Sequence, residues 1–161
     1  MDMPRASLSK IDEGFKFLEF EPVSDGELTV VLACTNPADP TRNFVPSYDF
    51  DLVVGGKRAG SINLRTIDTP HLTMYGGHFA YGVEPDFRGN HYAERGVRLL
   101  LPFTRLHGYR DLIITCNPDN WPSRRTCERL GAELLEIVQL PPEVDMYQEG
   151  EREKCRYRLV L

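Results

Sequence analysis

The alternation of apolar and polar positions divides the chain into short strands and two helices. FKFLEF (15–20) and ELTVVLA (27–33) flank a turn at Ser24-Asp25-Gly26 and predict a hairpin or two successive strands. Residues 34–46 hold three prolines and little periodicity, which makes them a loop. YDFDLVV (48–54) alternates, Gly55-Gly56-Lys57 turns the chain, and AGSINLRTI (59–67) alternates again, the clearest hairpin in the sequence. After a second loop (68–76), HFAYGVEP (78–85) reads as a strand stopped by a proline.

From about Tyr92 to Leu106 the period changes. Ala93, Val97, Leu100, Leu101 and Thr104 recur at helical spacing, with Gly108 as the stop. Pro102 lies inside this helix, where its missing N–H predicts a kink. DLIITC (111–116) is a continuous apolar run, the pattern of a strand covered on both faces. A second helix is predicted from Trp121 to Leu130, capped by Asn120 and ended by Gly131. AELLEIVQL (132–140) and KCRYRLVL (154–161) are strands around an acidic, proline-containing loop, the last an edge or penultimate strand. With no repeat or linker, 1–161 reads as a single α/β (α+β) domain.

Composition narrows the function. Charged residues make up 27% of the 161 and hydrophobic ones 41%, the balance of an ordinary globule. No stretch approaches the roughly 20 apolar residues of a membrane span, and MDMPRASLSKIDEG has no apolar signal core. Four scattered cysteines, with no CxxC pair or zinc-spaced histidine, predict reduced thiols in a cytoplasm and no metal site. The net charge of −5 argues against nucleic acid. Yet Arg88, Arg95, Arg98, Arg105 and Arg110 face only Glu94 between 88 and 110, a +4 segment in a chain otherwise at −9. That suits a small anionic ligand, or else a solvated helix face.

Two stretches carry candidate chemistry. In YGVEPDFRGNHYAERG (81–96) a strand ends at Val83-Glu84-Pro85, and Arg88-Gly89-Asn90-His91-Tyr92-Ala93 runs into a helix. Unpaired N–H groups at such a helix start carry partial positive charge and can seat a pyrophosphate. The glycine and lysine placements fit neither GxGxxG nor a Walker loop. The second stretch is Asn117-Pro118-Asp119-Asn120-Trp121-Pro122-Ser123, opening a helix that closes at Leu130-Gly131-Ala132. Capping alone is one role open to Asn120 and Ser123.

Together these motifs resemble the GNAT superfamily of acyl-CoA-dependent N-acetyltransferases. The match is Val-x-Pro, then Arg-Gly-x-x-x-Ala, then Asn-x-x-Asn-x-x-Ser and Leu-Gly-Ala, specific over roughly 60–140. Gly76-Gly77-His78-Phe79-Ala80-Tyr81-Gly82-Val83-Glu84-Pro85 looks closest to an uncharacterised bacterial branch. The resemblance implies a mixed, mostly antiparallel twisted sheet, splayed between two parallel strands, 78–85 and 111–116, with helices packed on it. It implies an acetyl-CoA (CoA) pyrophosphate on Arg88, Gly89, Asn90, His91, Tyr92 and Ala93. The pantetheine arm is then expected along Tyr81, Gly82 and Val83, with Asn120 and Ser123 beside the thioester.

The implied activity is acetyl transfer to a primary amine of a small molecule, peptide or protein, by a monomer or homodimer. A non-catalytic acyl-CoA-binding sensor or interaction module is the alternative. Three departures stand out: His91 replaces the usual loop glycine, Cys127 replaces a frequent helix tyrosine, and 21–47 shows no helical period. His78 is the first candidate for base or water relay, or else a histidine packed at a strand end; Glu84 is the second, and Ser123 a substitute acid.

Overall fold

The computed structural model describes residues 15–161; the expectation about the start of the chain lies outside them. Two antiparallel sheets form. In the first, β1 (Val23–Ser24), β2 (Leu28–Asn36), β3 (Ser47–Val54), β4 (Lys57–Arg65) and β5 (Phe79–Val83) lie side by side in chain order. The second has the order β6 (Asp111–Cys116), β8 (Glu153–Val160), β7 (Glu133–Gln139), so the last strand is its centre. Among the described residues the α-helices are α1 (Tyr92–Leu106), α2 (Trp121–Arg129) and the single turn α3 (Asp145–Gln148).

Local chemistry explains most of this. At the β3–β4 turn Val54 pairs with Lys57, and Gly55 and Gly56 take φ of 58° and 75°, the positive pair a two-residue hairpin turn requires. α1 lays Val97, Leu100 and Phe103 on a core that includes Leu28, Val30, Phe50, Leu52 and Ile62 of the first sheet. Pro102 lies on the exposed side of α1, and the helix runs through it unbroken.

Two expectations change. FKFLEF forms no strand: Phe20 wedges between Phe50 and Phe103, with ring centroids 4.8 and 5.1 Å away. Its Leu18 N–H donates to the Tyr48 hydroxyl at 2.8 Å, so side-chain packing, not a ladder, holds this segment. β6 is not covered on both faces; Leu112, Ile114 and Cys116 are buried while Asp111, Ile113 and Thr115 are half-buried.

The junction of the sheets departs most from the expected single sheet. Every ladder is antiparallel, and none joins β5 to β6. The Leu161 N–H to Arg110 C=O bond sets the β6–β8 alternation so that the main-chain groups of Ile113 and Thr115 face β5. His78 takes both groups of Ile113: its own N–H donates to the carbonyl at 2.7 Å, and its Nδ1 accepts the amide at 2.8 Å. An amide can only donate, so the ring proton is on Nε2, which gives it to Asp68 Oδ1 at 2.5 Å. A Cβ at Gly77 (φ 74°) would stand 3.0 Å from the Thr115 nitrogen, so the chain nears β6 only as glycine.

The entry to α1 is tied down by charge. Arg95 donates to both carboxylate oxygens of Asp25 at 2.8 and 3.0 Å and to Glu27 at 2.8 Å. The Arg95 guanidinium holds the Asp25 and Glu27 carboxyls below the usual carboxylate range. Depressed acids stabilise fully above the unfolded pKa and lose that contribution as pH falls through the folded one. Arg95→Met should therefore lower stability most at neutral pH and progressively less towards about pH 3, as read by urea denaturation. A pH-independent difference would contradict this.

A second variant probes the β4–β5 contact. A Cβ at Gly60 would lie 2.3 Å from the Gly82 carbonyl oxygen, which is backbone and cannot rotate away. Gly60→Ala should destabilise by about 1–3 kcal/mol in the same assay, and an unchanged midpoint would count against this packing.

Candidate active site

The strand-to-helix loop has the shape its sequence predicts. After a 3-10 turn at Pro85–Phe87, Arg88 is extended, Gly89 has φ 89° and His91 sits in the left-handed region (φ 59°, ψ 30°). His91 thus occupies a conformation that glycine holds at less cost. Its side chain makes no capping hydrogen bond, and Asn90 Nδ2 turns back to the Phe87 carbonyl at 3.1 Å. No side chain caps the first turn of α1, whose N–H groups give an anion seat its donors.

The basic segment is not pooled at this loop. Arg95 is engaged with Asp25 and Glu27, and Arg98 with the Arg129 carbonyl at 2.7 Å. Arg88 is exposed beside the loop, its Nε on the Val83 carbonyl at 3.1 Å.

Beyond the His78 contact no ladder pairs β5 with β6, and the expected splay between parallel strands is not seen. The Arg65 N–H to His78 C=O and Glu84 N–H to Ala59 C=O bonds fix the β4–β5 alternation. That alternation turns the main-chain groups of Tyr81 and Val83 away from β4 and those of Gly82 towards it. A cleft of about 290 Å³ opens here, lined by Tyr81, Thr115, Asn117, Asn120 and Ser123 among others. Asn120 caps α2, its Oδ1 accepting the Ser123 N–H at 3.2 Å, and so fixes where Ser123 stands. Ser123 Oγ lies 3.0 Å from the Tyr81 hydroxyl. Burial pushes Tyr81 far above its ordinary range, Cys127 up to about 12 and Cys116 to about 11, so at neutral pH the phenol and both thiols keep their protons.

Asn117 is the residue that sequence reasoning passed over. Its Nδ2 donates to Glu151 Oε1 at 2.8 Å, while Oδ1 is buried in the cleft wall with no partner among the described residues. An unpaired buried acceptor is costly unless something else satisfies it, and a ligand amide does so. This orphan, the open main-chain edges and the uncapped helix start fit a CoA thioester with its pyrophosphate. The only sequence signal was the first asparagine of Asn-x-x-Asn.

The other two candidates lie elsewhere. His78 is 1% exposed, both its ring nitrogens are engaged and it does not line the cleft. Glu84 is exposed and paired with Arg58 Nη1 at 2.9 Å, on the β4 side of β5. Neither meets Ser123.

A larger cleft of about 1160 Å³ adjoins the first, sharing Arg65, Gly76 and Met146 with it. Its rim carries Asp39, Glu143, Asp145 and Glu149 against Arg42 and Arg65. Arg65 is turned inward, donating to the Gly76 and Gly77 carbonyls at 2.8 and 3.0 Å. Among the described residues no helix is long and apolar enough to cross a membrane, and no group of three His, Cys, Asp or Glu is placed to hold a metal ion.

Comparison with curated protein sequences returns no match. Among solved structures, the microcin C7 self-immunity acetyltransferase MccE, determined with acetyl-CoA and AMP, superposes with a TM-score of 0.58 at 21% identity. The alignment covers 71% of this chain and 61% of that one, so the chain spans about three fifths of MccE. RimL, a ribosomal L7/L12 alpha-N-protein acetyltransferase, gives 0.63 at 14% identity over 87% of this chain and 98% of its own. RimJ of Mycobacterium smegmatis, solved with CoA-disulfide, gives 0.56 at 18% over 71% and 53%. These likenesses concern the fold. The sequence itself matches the model of the acetyltransferase (GNAT) domain over residues 21–133. The chain therefore belongs to the GNAT acetyltransferase family.

Proposed function

We propose that this protein transfers an acetyl group from acetyl-CoA to a primary amine. The observation that carries this reading is the cleft between β5 and β6, with Asn117, Asn120 and Ser123 on one wall and Tyr81 on the other. The pyrophosphate belongs on the uncapped start of α1 with Arg88, Gly89, Asn90, His91, Tyr92 and Ala93. Tyr81 offers its main-chain N–H and C=O to the pantetheine arm and Val83 its N–H, the Val83 carbonyl being held by Arg88 Nε, while Gly82 serves by lacking a side chain. The four carboxylates around the larger cleft suit an acceptor that arrives as an ammonium ion and reacts as the amine. Holding acceptor and thioester together supplies much of the acceleration.

Within this reading His78 is a structural residue and Glu84 a surface ion-pair partner. Ser123 remains as the donor to the departing sulfur. With His78 buried, no imidazole among the described residues lines the smaller cleft, and this favours one rival, a CoA-binding module without turnover. Thiol release from acetyl-CoA across a panel of amines separates the two.

Four results are expected. CoA should raise the melting temperature, because a ligand that binds only the native state stabilises it. Arg88→Glu should shrink that shift, and more so as salt is lowered, since charge reversal acts through screened electrostatics. Asn120→Ala should lower stability by about 1 kcal/mol through the lost cap and also weaken CoA binding. Ser123→Ala should slow thiol release while leaving CoA affinity within about two-fold, since one hydroxyl serves the transition state rather than ground-state binding. A melting curve unmoved by saturating CoA would sink the cofactor reading. CoA binding without thiol release on any amine would leave the sensor.

A further inference from the structure

The Tyr81 phenol is an unexpected feature of the cleft. β5 sends it across the gap between the sheets, so that its hydroxyl meets Ser123 Oγ at 3.0 Å, the Ser123 carbonyl at 3.5 Å and Cys127 Sγ at 3.7 Å. Three contacts from one helix face surround a single hydroxyl on the opposite wall. Packing alone does not explain it, because a phenylalanine would fill the same space without bringing a polar group out of water.

We propose that Tyr81 is a positioning residue that makes Ser123 a hydrogen-bond donor to the sulfur leaving the thioester. The inference rests on the acetyl-transfer reading above. In the proposed arrangement the phenol, intrinsically the better donor, gives its hydrogen to the alcohol oxygen, intrinsically the better acceptor. Once Ser123 Oγ accepts from Tyr81, its own hydrogen is released to another acceptor, and Ser123 lines the cleft with the Cys116 thiol as the neighbouring partner that a ligand sulfur would replace. Burial keeps the phenol protonated throughout the working range, so the arrangement persists as pH rises. The polarised pair is a stronger donor than a lone serine, because donors in series reinforce one another.

The proton balance needs no further reagent. As the C–N bond forms and the C–S bond breaks, the nitrogen gives up one proton and the sulfur takes one. Ser123 donates a hydrogen bond to the sulfur as the C–S bond breaks, the thiolate takes the proton that nitrogen releases by way of solvent in the cleft, and each hydroxyl keeps its own hydrogen. Both side chains end as they began.

The decisive experiment needs no acceptor. The ultraviolet absorbance of the thiolate is followed against pH for CoA bound to the protein, with desulfo-CoA in place of CoA as the blank. Donors aimed at sulfur stabilise the thiolate, so the bound thiol should titrate about one pH unit lower in the wild type than in Tyr81→Phe. Ser123→Ala should show the same rise, and the double variant no more than Ser123→Ala alone, since the phenol acts through the serine. CoA-induced melting shifts, expected to be within about two-fold in affinity for all variants, confirm that each is folded and loaded.

Thiol release follows the same logic. Tyr81→Phe should lower kcat about ten-fold with KM for acetyl-CoA little changed, and Tyr81→Phe on Ser123→Ala should add nothing. An unchanged thiol titration in Tyr81→Phe overturns the inference, as does an additive double variant. If CoA binds and its thiol titrates as described but no amine is acetylated, the transfer reading fails while the donor pair stands. Should Tyr81→Phe not fold, Ser123→Ala against Ser123→Thr decides: threonine keeps the hydroxyl and should keep the low titration, and a titration as high as alanine's overturns the proposal.

Discussion

Ile113 has both main-chain groups turned away from its own sheet, and His78 satisfies both. Among the described residues no ladder joins the two sheets, and at the meeting of β5 and β6 His78 takes the ladder's place, acting with backbone N–H and imidazole Nδ1 together. Asp68 accepts from Nε2 and so holds the ring in the tautomer the amide requires. The imidazole is fully buried, where a missing partner is expensive, and that is what fixes the relative placement of the strands. Arg65 braces the same corner by donating to the carbonyls of Gly76 and Gly77, and Thr115 by donating to that of Tyr75.

The chemistry follows from where this joint stops. Past His78 no ladder pairs β5 with β6, and the cleft there is lined by Tyr81 on one wall and Asn117, Asn120 and Ser123 on the other. Had the ladder continued, those main-chain groups would satisfy each other and leave nothing for a ligand. The uncapped first turn of α1 lies at the other end of β5, with Arg95 anchoring the helix to the β1–β2 turn. One short strand thus connects a buried joint, an open cleft and an uncapped helix start.

Much of this was legible in the sequence wherever the determinant is local. The helix at 92–106, the Gly55-Gly56 turn and the Asn120 cap depend on neighbours a few residues away, and all three are where periodicity and capping rules put them. The loop from Arg88 to Ala93 was legible as a motif, and its left-handed His91 explains why glycine is the usual residue there. What failed depends on distant partners. FKFLEF has a strand's pattern, but its rings fill space between β3 and α1. His78 looks like a free imidazole until Asp68 and Ile113 are seen on either side of it. The wide cleft joins segments near 36–45, 69–72 and 143–149, a convergence no single window can reveal. β7 has an apolar run, yet Leu134, Leu135 and Ile137 are 39–43% exposed at the sheet edge, because no helix or strand covers them among the described residues.

The claim on which the rest stands is that His78 joins the two sheets and is not a free catalytic base. Amide hydrogen exchange at Ile113 reads this most directly, because its N–H has the His78 Nδ1 as acceptor. In the wild type that amide should be among the slowly exchanging ones. In His78→Ala it should exchange faster by at least about a hundred-fold, while core amides of β3 and β4 keep most of their protection. An Ile113 amide that exchanges freely in the wild type, or one equally protected without the imidazole, would contradict the account.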